Sequence, residues 1–404
     1  MVKDWKFVKI GELLDFKNGL NKGKDFFGSG TPIINYMDVY KKNGLHRSDI
    51  AGKVSLDKKE IERYEVRKGD VFFTRTSETP EEVGLASVML DDIDSCVFSG
   101  FVLRGRPKTD MLLPEYCKYC FSTHEVRQKI IASCTYTTRA LTNGTQLSKI
   151  EILVPNKEEQ FRIAASLTAV DQLIDKFEIL IRKYQSLKIA CLQHMFPRKG
   201  QTKPDARLPG FTGSWEQRKL EDFGEIITGS TPSTNNPEYY SEDGIPWVTP
   251  TDILENTISN TSRKLSKEGE KVSRVVPANS ILVTCIASIG KNTMLTTKGS
   301  FNQQINGIIP DKQNYNPYFL LTESNIWSKE MIAKAAAGTM QIVNKHEFSS
   351  IKTMVPSLPE QQYIGALFEK LDYTVALHQR MCEKYKKIKQ GMMEELLSGK
   401  IRLI

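Results

Sequence analysis

The stretch from Val154 to Phe196 returns at Val355 to Leu397 with no gap between the two copies. Both copies open on Val-Pro and reach a Glu-Gln pair at one offset, Glu159-Gln160 in the first and Glu360-Gln361 in the second. The register then holds, with Ile163 matching Ile364, Ala165 matching Ala366, Asp171 matching Asp372 and Tyr184 matching Tyr385. A repeat of this length requires a fold that contains the same element twice.

In the first copy Ile163, Leu167, Val170, Ile174, Phe177, Ile181 and Tyr184 alternate steps of four and three, the spacing of a heptad seam. The second copy repeats it at Ile364, Phe368, Leu371, Val375, His378, Cys382 and Tyr385. Each copy predicts a helix of ~35 residues, or ~50 Å. One apolar stripe needs a partner, and the other copy supplies it. A parallel pair would require segment 197–214 to run back along the helices almost fully extended. Antiparallel pairing removes that strain and places what precedes each helix at opposite ends of a rod.

The regions before the helices also align, more loosely. Trp5, Ile10 and Gly19 correspond to Trp215, Leu220 and Gly229, and Pro32 with Asp38 to Pro246 with Asp252. Lys68-Gly69-Asp70 before Val71-Phe72-Phe73-Thr74 mirrors Ala278-Asn279-Ser280 before Ile281-Leu282-Val283-Thr284, in each case a turn and then a buried strand. One helix is expected over 114–130 and its counterpart over 317–334, both with proline in the first turn. The organisation that follows is a mixed α/β domain over 1–153, a helix over 154–196, a Pro- and Gly-rich linker over 197–214, a second α/β domain over 215–354 and a second helix from 355 to 404. The fold class is mixed α/β: two similar α/β domains separated by two long antiparallel coiled-coil helices, an internal pseudo-two-fold repeat.

With 40% hydrophobic and 26% charged residues, the chain has apolar material for two cores. Its net charge of +8 suits a polyanionic partner better than an acidic one. Residues 1–10 hold no hydrophobic signal core and no stretch reaches membrane-spanning length, so a soluble cytoplasmic protein is expected. Seven scattered cysteines suggest reduced thiols.

Catalytic signatures fail one by one. Phe26-Phe27-Gly28-Ser29-Gly30 has the glycine spacing of a methyl-donor site, but a polar stretch precedes it and a strand follows, so a flexible turn is expected. Asn236-Pro237-Glu238-Tyr239 lacks the second proline of an amino-methyltransferase motif. Cys117, Cys120, His124 and Cys134 have partial zinc spacing, yet the matching second-unit residues are Leu320, Glu323 and Trp327, so a core-packed helix face is the better reading. No phosphate-binding loop, metalloprotease helix or nucleophile elbow occurs, and the five histidines are isolated.

Recognition remains, and the loops hold groups suited to it. The first domain offers Lys17, Asn18, Asn21, Lys22 and Lys24, then Thr74, Arg75, Thr76 and Ser77, then Tyr136, Thr138 and Arg139. The second offers Ser230, Thr231, Ser233, Asn235 and Asn236, then Asn302, Gln303 and Gln304, then Thr339 and Gln341. Asn and Gln can bond adenine bidentately, Arg can do so with guanine, and hydroxyls and lysines hold phosphates. KNGLNKGKDFFGSG stands opposite TGSTPSTNNPEYYSEDG, so two similar scaffolds carry different loops.

The duplicated architecture, the Val-Pro-x-x-x-Glu-Gln-x-x-Ile helix starts at Val154 and Val355, and the string LPGFTGSWEQRKL from Leu208 to Leu220 together resemble the specificity subunit of type I restriction–modification systems over the full chain. The first domain departs by starting at Asp4-Trp5 without the Leu-Pro-Gly-Phe lead, and by carrying Phe98-Ser99-Gly100-Phe101 where the second has Asn302-Gln303-Gln304. The resemblance implies that each domain reads one half of a bipartite double-stranded DNA site and that the helices set the spacing and dock methyltransferase subunits, with Glu159, Gln160, Glu360 and Gln361 as partner-binding residues. It implies two such subunits that bind S-adenosylmethionine and modify adenine, and two restriction/translocase subunits that use ATP and Mg. This chain itself is then expected to bind no cofactor or metal and to have no catalytic residue. A rod of ~50 Å accommodates half-sites one DNA turn, ~34 Å, apart. Two other classes stay open at this point: a coiled-coil structural adaptor without DNA specificity, and an autonomous DNA methyltransferase.

Overall fold

The computed structural model describes residues 4–136, 138–336 and 342–403. Its contacts divide the chain into two compact units, 1–177 with 381–404 and 178–380. These divisions fall inside the two long helices rather than at the ends of the sequence-drawn domains. The reason is that each helix packs its first half in one unit and its second half in the other.

Each unit is built on a five-stranded sheet. In the first unit the order is Leu14–Asn18, Val102–Pro107, Val71–Thr74, Ala86–Met89 and Gly44–Leu45, and in the second Gly224–Thr228, Ile305–Pro310, Ser280–Thr284, Asn292–Leu295 and Thr257–Ile258. Neighbours are antiparallel except the last pair of each sheet, which is parallel in both. The central strand is buried on both faces, which is why it reads as an unbroken apolar run. Phe73 points into a core with Trp5, Tyr116 and Ile163, while Phe72 points into another with Ile34, Leu45 and Phe98. Ile281 and Val283 face one core of the second unit and Leu282 the other. The turn before this strand needs a left-handed residue, supplied by Gly69 at φ +86° and Asn279 at φ +72°.

A smaller sheet lies beside each large one, built around Phe27–Ile34 and Tyr240–Val248. Both strands slip register early, between Phe27 and Thr31 and between Tyr240 and Ile245. Phe27 to Gly30 therefore belong to a bulged strand rather than to the flexible turn expected from the glycines, and Gly28 and Gly30 supply positive φ at the bulge. The single helix expected over 114–130 is two, Pro114–Cys120 and His124–Ser133, because Thr123 caps a new start by accepting the Val126 N–H. Its counterpart is one helix, Pro317–Ala336.

A two-stranded ladder closes each domain, Lys6–Lys9 with Glu151–Val154 and Glu216–Lys219 with Lys352–Val355. Each ladder delivers the chain to a long helix, Lys157–His194 in one case and Leu358–Leu396 in the other. In the first unit Phe177 stacks on Tyr385 at 5.6 Å and Asp171 pairs with Lys389 at 2.6 Å. In the second, Tyr184 meets His378 edge-on at 5.6 Å and Lys188 pairs with Asp372. One number rises as the other falls, so the helices are antiparallel within each unit. Ile163 and Leu167, like Ile364 and Phe368, are buried against the adjoining domain's core.

The Glu-Gln pairs are structural, which corrects their assignment as partner-binding residues. Gln160 accepts the Leu113 N–H and donates to the Met111 and Pro155 carbonyls, and Gln361 accepts the Asn316 N–H and donates to the Asn314 and Pro356 carbonyls. Glu159 receives Trp5 Nε1 at 2.8 Å and Arg402 Nε at 2.6 Å, and Glu360 receives Arg207 Nε at 2.7 Å. All four are buried, so none presents its side chain to another subunit. Segment 197–214 is likewise attached to the second unit. Besides the Arg207 pair, the Trp215 N–H donates to the Thr202 carbonyl and the Ala206 N–H to that of His194.

Candidate nucleic-acid interface

Three loops meet at one end of the large sheet in each unit. In the first, the chain leaves strand Leu14–Asn18 through Gly19, where a Cβ would lie 2.0 Å from the Ser99 carbonyl oxygen, so only glycine permits the approach. The Leu20 N–H donates to the Phe98 carbonyl at 2.9 Å and the Gly100 N–H to that of Leu20 at 2.7 Å, tying the Asn21 loop to the 98–101 turn. Arg75, just past the central strand, donates its N–H to the Phe101 carbonyl at 3.1 Å and Nη1 to that of Gly100 at 3.2 Å. The Thr142 N–H donates to the Arg75 carbonyl, and Ala140–Leu141 pairs with Thr76–Ser77, which adds the hairpin carrying Tyr136, Thr138 and Arg139.

The second unit repeats this geometry with other side chains. A Cβ on Gly229 would lie 2.1 Å from the Asn302 carbonyl oxygen, and the Ser230 N–H donates to the Phe301 carbonyl at 2.9 Å. The Cys285 N–H donates to the Gln304 carbonyl at 2.8 Å and the Val343 N–H to that of Cys285 at 2.9 Å. Thr231 donates its hydroxyl to Gln303 Oε1, and Asn302 Nδ2 donates to Gln304 Oε1 at 3.0 Å.

Most of the sequence-selected groups stand at the surface of these loops. Asn18, Asn21, Lys24, Tyr136, Thr138, Arg139, Thr231, Ser233, Asn235 and Gln303 are exposed, while Lys17, Lys22, Arg75, Thr76, Ser230, Asn236 and Gln304 are half-buried. Thr74, Ser77 and Asn302 are buried and are corrected as direct contacts. Thr74 Oγ1 donates to the Glu82 carbonyl, Ser77 Oγ donates to Glu82 Oε2, and Asn302 holds the side chain of Gln304. Lys22 is paired with Glu60 at 2.7 Å. Burial and the positive charges of Arg104, Arg63 and Arg106 push the Lys17 ammonium below the usual lysine range, marking a positive local field at the loop's root. Thr339 and Gln341 lie outside the described residues.

Sequence reasoning passed over Phe101, 59% exposed on the turn beside Arg75 and Asn21. The comparison of Phe98-Ser99-Gly100-Phe101 with Asn302-Gln303-Gln304 in the sequence lacked a residue-for-residue match, and the backbone bonds of the two turns supply it. Cys117 and Cys120 are buried in the first core, as a helix face packed on that core requires. Among the described residues no group of three or more His, Cys, Asp or Glu is placed to hold a metal ion, and no helix is long and apolar enough to cross a membrane.

Comparison with known proteins agrees with this duplicated geometry. The family described as type I restriction modification DNA specificity domain matches twice, at residues 2–182 and 213–389. The type I restriction enzyme HindI specificity subunit of Haemophilus influenzae is 25% identical, covering 99% of this chain and 100% of that one. The putative type I restriction enzyme MjaX specificity subunit of Methanocaldococcus jannaschii is 22% identical, covering 99% and 94%. The crystal structure of the type I restriction–modification S subunit from M. genitalium shares the fold, with a TM-score of 0.65 at 14% identity, 97% of this chain and 96% of that one being covered. With two matched domains, each bearing the same loop cluster on the same sheet, the chain belongs to the type I restriction–modification DNA specificity family and is a specificity subunit with two target recognition domains.

Proposed function

We propose that each loop cluster reads one half of a bipartite, asymmetric site in double-stranded DNA, and that the chain makes no bond itself but selects where its partners act. The observation that carries this reading is the pairing of one backbone frame with two chemistries: Asn21, Arg75 and Tyr136 in the first domain, Thr231, Gln303 and Gln304 in the second. Equivalent frames with unlike side chains suit two different sequences, because base edges are told apart by donor and acceptor pattern.

The helices set the spacing of the half-sites and dock two methyltransferase subunits. The faces of the helices turned away from the domain cores, which carry exposed Phe161, Ile179, Ile189 and Tyr373, are the surfaces open to such docking. The methyltransferase subunits bind S-adenosylmethionine and modify adenine. Two restriction/translocase subunits bring ATP and Mg, and the assembly works in the cytoplasm.

Replacing Asn302, Gln303 and Gln304 together by alanine tests the modular reading. Methylation mapping in cells that also express the methyltransferase subunit should show the second half-site relaxed and the first intact. Equal damage to both halves would overturn it.

A further inference from the structure

The two turns that close the loop clusters are superimposable in their backbone bonds, yet they present opposite chemistry at one position. The Val102 N–H donates to the Ser99 carbonyl as the Ile305 N–H does to that of Asn302, at 3.0 and 3.1 Å. The Phe101 carbonyl accepts from Arg75 as the Gln304 carbonyl accepts from Cys285. Phe101 and Gln304 are therefore equivalent residues. Gln304 offers an amide oriented by Asn302, whereas Phe101 offers only a ring. The structural work of residue 101 is done by its backbone. Its side chain joins none of the cores, while Phe98 on the same turn is fully buried.

A phenyl ring cannot read a donor or an acceptor. On the major-groove edges of the four bases the apolar feature is the thymine C5-methyl, and phenylalanine is one of the side chains able to contact it. We infer that Phe101 is a specificity-determining residue of the first domain, recognising a thymine methyl in its half-site at the position where the second domain reads with Gln304. The inference rests on the reading of these turns as the DNA-facing surface.

The test uses the methyltransferase complex containing the full chain, with duplexes of the mapped motif in which each thymine of the first half-site is replaced in turn by uracil, removing only the methyl. For the unaltered chain, one replacement should weaken binding about 4- to 10-fold. For Phe101→Ala the same replacement should have no effect, with the second half-site unchanged. An exposed side chain can be truncated without loss of folding, and an unchanged thermal transition checks this. Uracil sensitivity at no position, or sensitivity that persists in Phe101→Ala, would overturn the inference. Gln304→Ala separates the two levels of failure. If it relaxes the second half-site while Phe101→Ala changes nothing, the Phe101 assignment falls alone. If neither variant alters either half-site, the DNA-facing assignment of both turns falls with it.

Discussion

Gly229→Ala should silence the second recognition domain while leaving the first at work. The added Cβ would meet the Asn302 carbonyl oxygen at 2.1 Å and that of Phe301 at 2.3 Å, against about 3.4 Å for an ordinary contact. The loop and the turn must therefore separate by roughly 1.3 Å, and neither obstacle is a flexible side chain. Such a shift weakens the Ser230-to-Phe301 and Gly229-to-Ile305 backbone bonds, worth about 1 kcal/mol each, and adds overpacking strain of about 1–3 kcal/mol. With both bonds lost the sum is about 3–5 kcal/mol, which lowers the transition of a unit this size by very roughly 6–20 °C. A displacement near 1 Å also carries Gln303 and Gln304 out of reading distance, for which a loss on the order of 100-fold in second-half-site discrimination is expected. Melting followed by circular dichroism and methylation mapping at both half-sites measure the two effects. Gly19→Ala, facing the Ser99 carbonyl oxygen at 2.0 Å, should produce the mirror result. An unchanged melting temperature together with an intact second half-site in Gly229→Ala would refute the claim that this close approach positions the reading turn.

Three further outcomes follow from carboxyl groups in the scaffold. Although burial pushes the Glu159 carboxyl up, hydrogen bonds from Arg402 and Trp5 hold it below its ordinary 4.5. Its stabilisation is therefore present above pH 4.5 and lost as pH falls through the lower folded value. Glu159→Gln should flatten that acid decline in melts of the first unit. Burial drives Glu323 the other way, to about 8, against a hydrogen bond from Thr353. This carboxyl is neutral in the fold at pH 7, and its contribution is complete below 4.5 and lost as pH rises through 8. Wild-type melting temperature should drop across that window, and Glu323→Gln should reduce the drop. Asp372 accepts from Lys188, Asn256 Nδ2 at 2.7 Å and Tyr318 Oη at 2.9 Å, joining both long helices to the second domain. Asp372→Ala should cost about 2–4 kcal/mol in urea melts, and Asp372→Asn less, because the amide keeps one acceptor.

Local signals carried far where the chemistry was local. Val71-Phe72-Phe73-Thr74 is buried on both faces, and an unbroken apolar run after a turn admits few other placements. The same logic missed the break at Thr123, where Phe121-Ser122-Thr123 looks like helix interior until the Thr123 hydroxyl accepts the Val126 N–H. It also took buried polar residues for surface ones. Thr74 and Ser77 sit among recognition-type residues in the chain, but the fold brings Glu82 to both. Glu159 and Glu360 look free on a helix start because Arg402 and Arg207, their partners, lie far away in the chain.

What the sequence determined by itself is the duplication, the heptad seam and the antiparallel sense of the helices, since periodicity and linker reach are properties of the chain alone. Only the tertiary structure decided which polar groups face outward and which hold the fold. It also made Phe101 the equivalent of Gln304. Those outcomes depend on long-range backbone bonds, such as Arg75 to Phe101 and Cys285 to Gln304, whose partners are set by the sheet rather than by neighbours in the chain.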